Sequence, residues 1–308
     1  MRILFITSSR IGDAVLSTGL LDHLLRQYPQ ARITVVCGPL AADLFSRMPR
    51  REETILLRPR RFDRHWLDLW WRTVRVRWDL VVDLRGSALA FLLPARRRAV
   101  MRGGRRPGLR VGHLGAALGL YPPPLPVAWT AAADRARAAA LLPETERYLG
   151  LGPTANWDPK IWPPGRFADL FTRLAAGPLA GARAVVFAGP GEAERARAAP
   201  LLAALPDAVD LVGTLSLPEV AACLARCALF VGNDSGLMHL AAATGTPTLG
   251  LFGPSRADQY APAGRRAGFV SAPGPAGAAP IEGITVAAAF AAACGLLLSP
   301  AADPPAPA

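Results

Sequence analysis

Lysine is nearly absent from this sequence: of 35 basic residues 34 are arginine, and the only lysine is Lys160. Cysteine is also scarce. Cys37, Cys223, Cys227 and Cys294 are too few and too scattered in 308 residues for a disulfide scaffold, so a reducing compartment is expected. No D-x-D motif occurs, and nothing therefore suggests a nucleotide bridged by Mg²⁺ or Mn²⁺. Cys223-x-x-x-Cys227 has helical spacing, and two small thiols on one helix read as core rather than as metal ligands. The first turn after the opening apolar run carries Gly12 alone, where a nicotinamide or flavin enzyme would place G-x-G-x-x-G. No apolar run reaches the roughly 18 residues that a spanning helix needs. The N-terminus lacks the long apolar region and cleavage site of a secretory signal. A cytoplasmic protein is expected, with peripheral attachment to the inner membrane left open.

Apolar residues, by contrast, make up 51% of the chain and charged ones 19%, which excludes a mostly disordered protein. The net charge of +12 is local. Between Arg50 and Arg110 lie 17 arginines and six acidic residues, so this window holds +11 of the total. Its first cluster is Arg58, Arg60, Arg61 and Arg64; its second runs from Arg96 to Arg110 through Gly103-Gly104 and Pro107-Gly108. Guanidinium forks pair bidentately with phosphate and carboxylate, which points to an anionic partner or lipid; a solvated face is the alternative.

Residues 62–78 interleave tryptophan and arginine. Trp66, Leu67, Trp70, Trp71, Val74 and Trp78 fall on one helical stripe, with Arg64, Asp68, Arg72 and Arg75 opposite. Such a stripe suits a helix packed on a sheet or one lying in a membrane interface, and the pattern does not separate them.

Short apolar runs alternate with helical ones along the whole chain. Strands are expected at Arg2–Thr7, Arg32–Cys37, Thr54–Leu57, Leu80–Leu84 and Ala99–Arg102. After the Pro122–Pro124 run and an alanine-rich helix, a second series opens at Tyr148–Leu151 and continues to Gly268–Val270. Repeated βα alternation predicts doubly wound parallel sheets. Two such series predict two Rossmann-like α/β domains facing a central cleft: 1–145, 146–298, and a disordered tail at 299–308.

Open parallel sheets bind ligands beyond the carboxyl ends of their strands, so the chemistry belongs in the loops leaving each strand. Thr7-Ser8-Ser9-Arg10-Ile11-Gly12-Asp13 follows the first strand. Asp13 is either a helix cap or a carboxylate available as general base. Thr154-Ala155-Asn156-Trp157-Asp158-Pro159-Lys160 holds the lone lysine, a compact point charge suited to neutralising phosphate. Gly189-Pro190-Gly191-Glu192 permits close backbone approach, with Glu192 placed to grip a hydroxyl-rich or base edge. Gly232-Asn233-Asp234-Ser235-Gly236-Leu237-Met238-His239 puts a helix N-terminus after a strand, a ready phosphate site. Asp234 there caps the helix or binds sugar hydroxyls, and His239 is a structural histidine or a ligand-binding one.

Taken together, Ser9-Arg10-Ile11-Gly12-Asp13, Lys160-Ile161-Trp162-Pro163, Gly189-Pro190-Gly191-Glu192 and the Asp234-Ser235-Gly236-x-x-His239 turn with its following Gly-Thr-Pro run resemble glycosyltransferase family 9, the ADP-heptose:lipopolysaccharide heptosyltransferases and relatives. The resemblance implies a GT-B fold and an inverting, metal-independent transfer. It implies an ADP-heptose-like donor held mainly by the C-terminal domain and an anionic lipid-linked glycan acceptor, without a cofactor or nucleic-acid partner. Asp13 would be the base. Thr154, Asn156, Lys160, Glu192, Asp234, Ser235, Gly236 and His239 would hold the donor. Arg10, Arg61, Arg97, Arg105 and Arg106 would meet the acceptor. A same-fold transferase with another donor, an epimerase or hydrolase of this architecture, and a non-catalytic binder of anionic ligands are the competing readings.

Overall fold

The structure, a computed structural model, describes residues 1–101 and 107–298; the sequence-predicted tail at 299–308 lies outside them. The chain divides into two compact units, Met1–Trp129 and Thr130–Ala308.

In the first unit β1 (Arg2–Ile6), β2 (Arg32–Cys37), β3 (Arg51–Leu56), β4 (Trp78–Asp83) and β5 (Ala95–Val100) form one parallel sheet of order β3-β2-β1-β4-β5. Ile3, Leu4, Phe5 and Ile6 are fully buried, because a central parallel strand is covered on both faces. Among the described residues this unit has three α-helices: α1 (Ile11–Gln27), α2 (Arg64–Thr73) and α3 (Arg110–Ala117). Segment 124–127 crosses α1 closely. The backbone N–H of Val127 donates to Thr18 Oγ1 at 2.9 Å, and a Cβ on Gly19 would stand 2.5 Å from the Leu125 carbonyl oxygen.

Two expectations shift here. β5 begins at Ala95 rather than Ala99, so Arg96, Arg97 and Arg98 are strand residues. An edge strand tolerates such charge because one flank faces water. Trp78 is not on the tryptophan helix; it opens β4 and is buried. The buried residues of α2 are His65, Leu69 and Thr73, none of which is in the expected stripe; of the stripe, Trp66, Trp70 and Val74 are half-buried and Leu67 and Trp71 exposed.

The second unit holds β6 (Tyr148–Gly152), β7 (Arg183–Val186), β8 (Val209–Asp210), β9 (Leu229–Asn233), β10 (Thr248–Phe252) and β11 (Ala267–Ser271), all parallel, in the order β11-β10-β9-β6-β7-β8. Its helices are α4 (Ala132–Leu141), α5 (Pro164–Ala175), α6 (Glu192–Ala204), α7 (Leu217–Leu224), α8 (Gly236–Ala243), the single turn α9 (Ala257–Tyr260) and α10 (Val286–Leu298). α4 packs on α7, within the second compact unit. Fully buried Trp162, Phe167, Leu170 and Leu174 anchor α5 on the sheet; each such side chain contributes about 1.5–3 kcal/mol.

Both sheets reverse direction of winding once. In the first, the chain runs outward from β1 through β2 and β3, then crosses back to β4. In the second it runs outward from β6 through β7 and β8, then crosses back to β9. The gaps between β1 and β4 and between β6 and β9 are the switch points where open α/β sheets bind ligands.

Candidate functional site

At the first switch point Asp13 is the third residue of α1. Arg10 occupies the cap position and makes no side-chain cap, so Asp13 is not an N-cap. An acid in the first turn is favoured by the helix dipole, yet its carboxylate remains partly open to solvent. Oδ1 lies 3.6 Å from Arg110 Nε, because α3 packs on α1 and Arg110 opens α3. The exit of β4 closes the other side. Asp83, fully buried, accepts hydrogen bonds from the backbone N–H groups of Arg85 (2.8 Å), Gly86 (3.1 Å) and Ser87 (2.9 Å). That turn sends Arg85 toward Ser9, whose Oγ accepts from Nη1 at 3.4 Å.

The arginines assigned to the acceptor scatter. Arg10 is exposed in the Asp13 loop. Arg61 is exposed beyond β3, its guanidinium 5.8 Å from the Phe62 ring centroid. Arg97 donates to Tyr28 Oη at 3.3 Å, just past the last residue of α1. It is therefore about a helix length, ~22 Å, from Asp13. Arg105 and Arg106 lie outside the described residues.

At the second switch point the lone lysine meets an acid. Lys160 Nζ donates to Asp234 Oδ2 at 2.6 Å, with side-chain exposures of 20% and 9%. The pair joins the loop after β6 to the loop after β9, and a neighbouring contact repeats the join: Trp162 N–H donates to Asn233 Oδ1 at 3.0 Å. Trp162 is itself pinned, its indole N–H donating to the Ile284 carbonyl at 3.0 Å. Where these loops start, Gly152 and Gly232 sit opposite each other on β6 and β9. A Cβ at Gly152 would stand 2.6 Å from the Phe230 ring, and one at Gly232 2.7 Å from it, so only glycine lets the two strands close over that ring.

Ser235 occupies the cap position of α8 without a side-chain cap, and Gly236 is the first residue of the helix. The α8 N-terminus thus opens beside the Lys160–Asp234 pair and presents free backbone donors and the positive dipole end. Asn233 Nδ2 and Ser235 Oγ are buried there with no hydrogen-bond partner among the described residues. Ser255 Oγ, on the loop after β10, shares that condition. Buried polar atoms without partners cost free energy, and a group that binds there would offset that cost. His239, 4% exposed, follows in the second turn of α8.

The loop after β7 brings two glutamates. Gly191, at φ 104°, lets the chain turn into α6. Glu192 is the first residue of that helix and is exposed, whereas Glu194 turns back: its Oε2 accepts from Thr154 Oγ1 at 2.7 Å and from Gly189 N–H at 3.1 Å. Thr154 is buried and already engaged; Asn156 is exposed. Arg197, also on α6, donates to Asp158 Oδ1 at 2.9 Å and so steadies the turn that bears Lys160.

Sequence reasoning missed Glu194 and Arg110. Glu194 differs from Glu192 only in its place on the helix surface, and Arg110 was one of seven arginines in a cluster. Cys223 and Cys227 are buried as expected, although Cys227 lies past the end of α7, and Cys37 is buried too: burial pushes the Cys37 thiol up to about 12 and the Cys223 thiol to about 11, and raises Cys227 as well. Among the described residues no three His, Cys, Asp or Glu side chains come together to hold a metal, and no helix is long and apolar enough to cross a membrane.

Comparison with known proteins bears on what this arrangement does. Residues 114–280 match the pattern of glycosyltransferase family 9 (heptosyltransferase). Lipopolysaccharide heptosyltransferase 2 of Salmonella typhimurium is 29% identical, over 87% of both chains. Lipopolysaccharide heptosyltransferase 1 of Pseudomonas aeruginosa is 30% identical, over 83% of this chain and 79% of that one. Among solved structures, the E. coli ADP-heptose lps heptosyltransferase II superposes with a TM-score of 0.76 at 24% identity, covering 97% of this chain and 99% of the other. The fold is GT-B, two Rossmann-like α/β domains. The family pattern covers more than half of the chain and includes Lys160, Glu194 and the Asp234–His239 turn; this chain belongs to glycosyltransferase family 9, the heptosyltransferases.

Proposed function

We propose that this enzyme transfers a heptose from ADP-heptose to a lipopolysaccharide core, or a similar anionic lipid-linked glycan, at the cytoplasmic face of the inner membrane. The transfer is a single inverting displacement that uses neither a metal ion nor a cofactor. Support for donor and acceptor comes from the relatives, which are named as lipopolysaccharide and ADP-heptose heptosyltransferases. Support for the chemistry comes from one observation above all: a lysine–aspartate pair at a switch point, beside a helix N-terminus and two buried, unpartnered polar atoms.

Loss of a nucleoside diphosphate leaves charge on the β-phosphate. Lys160 and the N–H groups that open α8 at Gly236 offset that charge, as preorganised donors do for any developing anion. Lys160 has three N–H donors and spends one on Asp234, so it reaches phosphate without leaving its partner. Asp234, Ser235 and His239 contact diphosphate and sugar. Thr154, Asn156, Glu192 and Glu194 form the nucleoside side, with Glu194 holding the loops and Glu192 free to meet hydroxyls.

Asp13 takes the proton from the attacking acceptor hydroxyl. Arg110 engages Oδ1 and leaves Oδ2 for that proton. Arg10 meets acceptor anions near Asp13, while Arg61 and Arg97 act on them at longer range; Arg105 and Arg106, assigned to the acceptor from the sequence, add to the same positive charge.

Thermal unfolding with ADP-, UDP- and GDP-sugars tests the donor. ADP-heptose should raise the Tm most, and stabilisation by a UDP-sugar alone overturns the assignment. ADP release should require acceptor; equal release without it would favour a hydrolase.

A further inference from the structure

The second unit carries a cavity that its donor loops do not use. Arg147, Ala228, Pro247 and Arg266 each stand immediately before a strand: β6, β9, β10 and β11. Those strands are neighbours in the order β11-β10-β9-β6, so the four residues form a row along the amino-terminal edge of the sheet. The loops of Lys160, Asp234 and Ser255 leave the carboxyl ends of three of the same strands, at the opposite edge. Between this row and the end of α10 opens a cavity of about 720 Å³, lined also by Leu179, Cys294 and Leu297. That volume lies within the range of small-molecule sites.

The walls are apolar and the charge is of one sign. Among the described residues no acidic side chain lines the cavity, and its charged groups are Arg147 and Arg266. The acids just before β6 are spent elsewhere, Glu144 on Arg226 at 3.3 Å and Glu146 on Arg183 at 2.9 Å. Arg266 is half-buried. Its Nη2 donates to the Leu296 and Leu297 carbonyls at 3.3 and 3.5 Å, which caps the end of α10. Its Nε is buried with no hydrogen-bond partner among the described residues. A donor left so in apolar surroundings costs free energy that an oxygen acceptor would offset. Arg147 is exposed at the mouth, three strand spacings, about 14 Å, along the edge from Arg266.

We propose that this cavity binds an amphiphilic carboxylate, a fatty-acid-like chain. Its head group meets Arg266 Nε, and its apolar body follows Pro247 and Ala228 toward Arg147. One half-buried guanidinium favours a monoanion, because a phosphate dianion would bring a second charge with no cation beside it. The inference does not depend on the donor or acceptor assigned above.

Cys294 supplies the probe. It lines the cavity and is partly exposed, whereas Cys37, Cys223 and Cys227 are buried. Iodoacetamide should therefore alkylate Cys294 first, as read by mass spectrometry of the whole chain. Dodecanoate, kept below its micelle concentration and at about ten times its Kd, should slow that alkylation roughly tenfold. ADP should leave the rate unchanged, and so should dodecyltrimethylammonium, which has the same chain and the opposite charge. Arg266→Gln should weaken dodecanoate about tenfold in calorimetry, the loss of one charge-assisted hydrogen bond. Arg147→Gln, a change at an exposed side chain, should weaken it about twofold with an unchanged Tm. Four results overturn the proposal: alkylation that dodecanoate does not slow, equal protection by dodecyltrimethylammonium, displacement of dodecanoate by ADP, or an affinity that neither substitution lowers.

Discussion

The two switch points, one in each sheet, differ in how firmly their side chains are held. At the first, Asp13 and Arg110 stand 3.6 Å apart with both side chains partly in solvent, and an arginine from the β4 loop reaches Ser9 at 3.4 Å. At the second, Lys160 and Asp234 close to 2.6 Å, and Trp162–Asn233, Thr154–Glu194 and Arg197–Asp158 tie the same loops again. A carboxylate that must take a proton from an incoming hydroxyl needs access. A set of donors that must meet a leaving diphosphate gains from being fixed beforehand, because electrostatic stabilisation is strongest where no reorganisation is needed. If Asp13 is the base and Lys160 the leaving-group ligand, as proposed, the looser first switch point and the firmer second one suit those roles.

The largest effect should come from Asp13→Ala, which removes the proposed base. Transfer should fall about 10²–10⁴-fold while donor affinity, read by calorimetry, stays within about twofold; parallel loss of both would move Asp13 to the donor side and dissolve the contrast. Next in size is Lys160→Met. Losing a charge-assisted contact should lower kcat/KM roughly 10–100-fold. Lys160→Arg should fall between, since a planar fork replaces a point charge that has to serve Asp234 and phosphate together. An unchanged rate in Lys160→Arg would show that charge alone is enough.

Rigidity has its own test. Gly152→Ala puts a methyl group 2.6 Å from the Phe230 ring and should cost about 1–3 kcal/mol in urea unfolding. The matching strand exits of the first unit, Ile6 and Asp83, need no glycine. Stability equal to wild type would mean the β6–β9 junction gives way easily. The smallest effect should be that of Arg110→Gln. A partly exposed ion pair contributes about 0–1 kcal/mol, so transfer should change by no more than about fivefold. A loss as large as that of Asp13→Ala would make the first switch point as preorganised as the second.

Much of this was legible in the sequence wherever burial leaves a compositional trace. Ile3–Ile6 and Leu229–Gly232 read as strands because both faces of a central parallel strand are covered. Asp13, Lys160 and the Asp234–His239 turn were found by their place after such strands. Failures came where tertiary contact decides. Ala95–Val100 carries three arginines and pairs with β4 all the same, because it is an edge. Glu192 and Glu194 look alike as letters; only helix phase directs the second to Thr154. Arg110 was hidden among its neighbours, and its pairing with Asp13 follows from α3 packing on α1. The tryptophan stripe held only in part: Trp78 belongs to β4, and Leu67 and Trp71 face water while Trp66, Trp70 and Val74 are half-buried, a division that periodicity does not contain.

The position of α4 matters for anyone who would dissect the enzyme. Measured along the chain, Tyr148 looks like the natural start of the second half. Yet α4 lies on α7, and Arg226 on the far side of α7 reaches back to Glu144 at 3.3 Å. A fragment begun near 146 would leave a bare apolar groove where Ala138 and Leu142 had been buried. One begun at Thr130 carries its own cover. The boundary between the halves of this protein is thus set by which surface an alanine-rich helix keeps dry, and a gene cut there should give soluble protein where a cut 16 residues later gives aggregate.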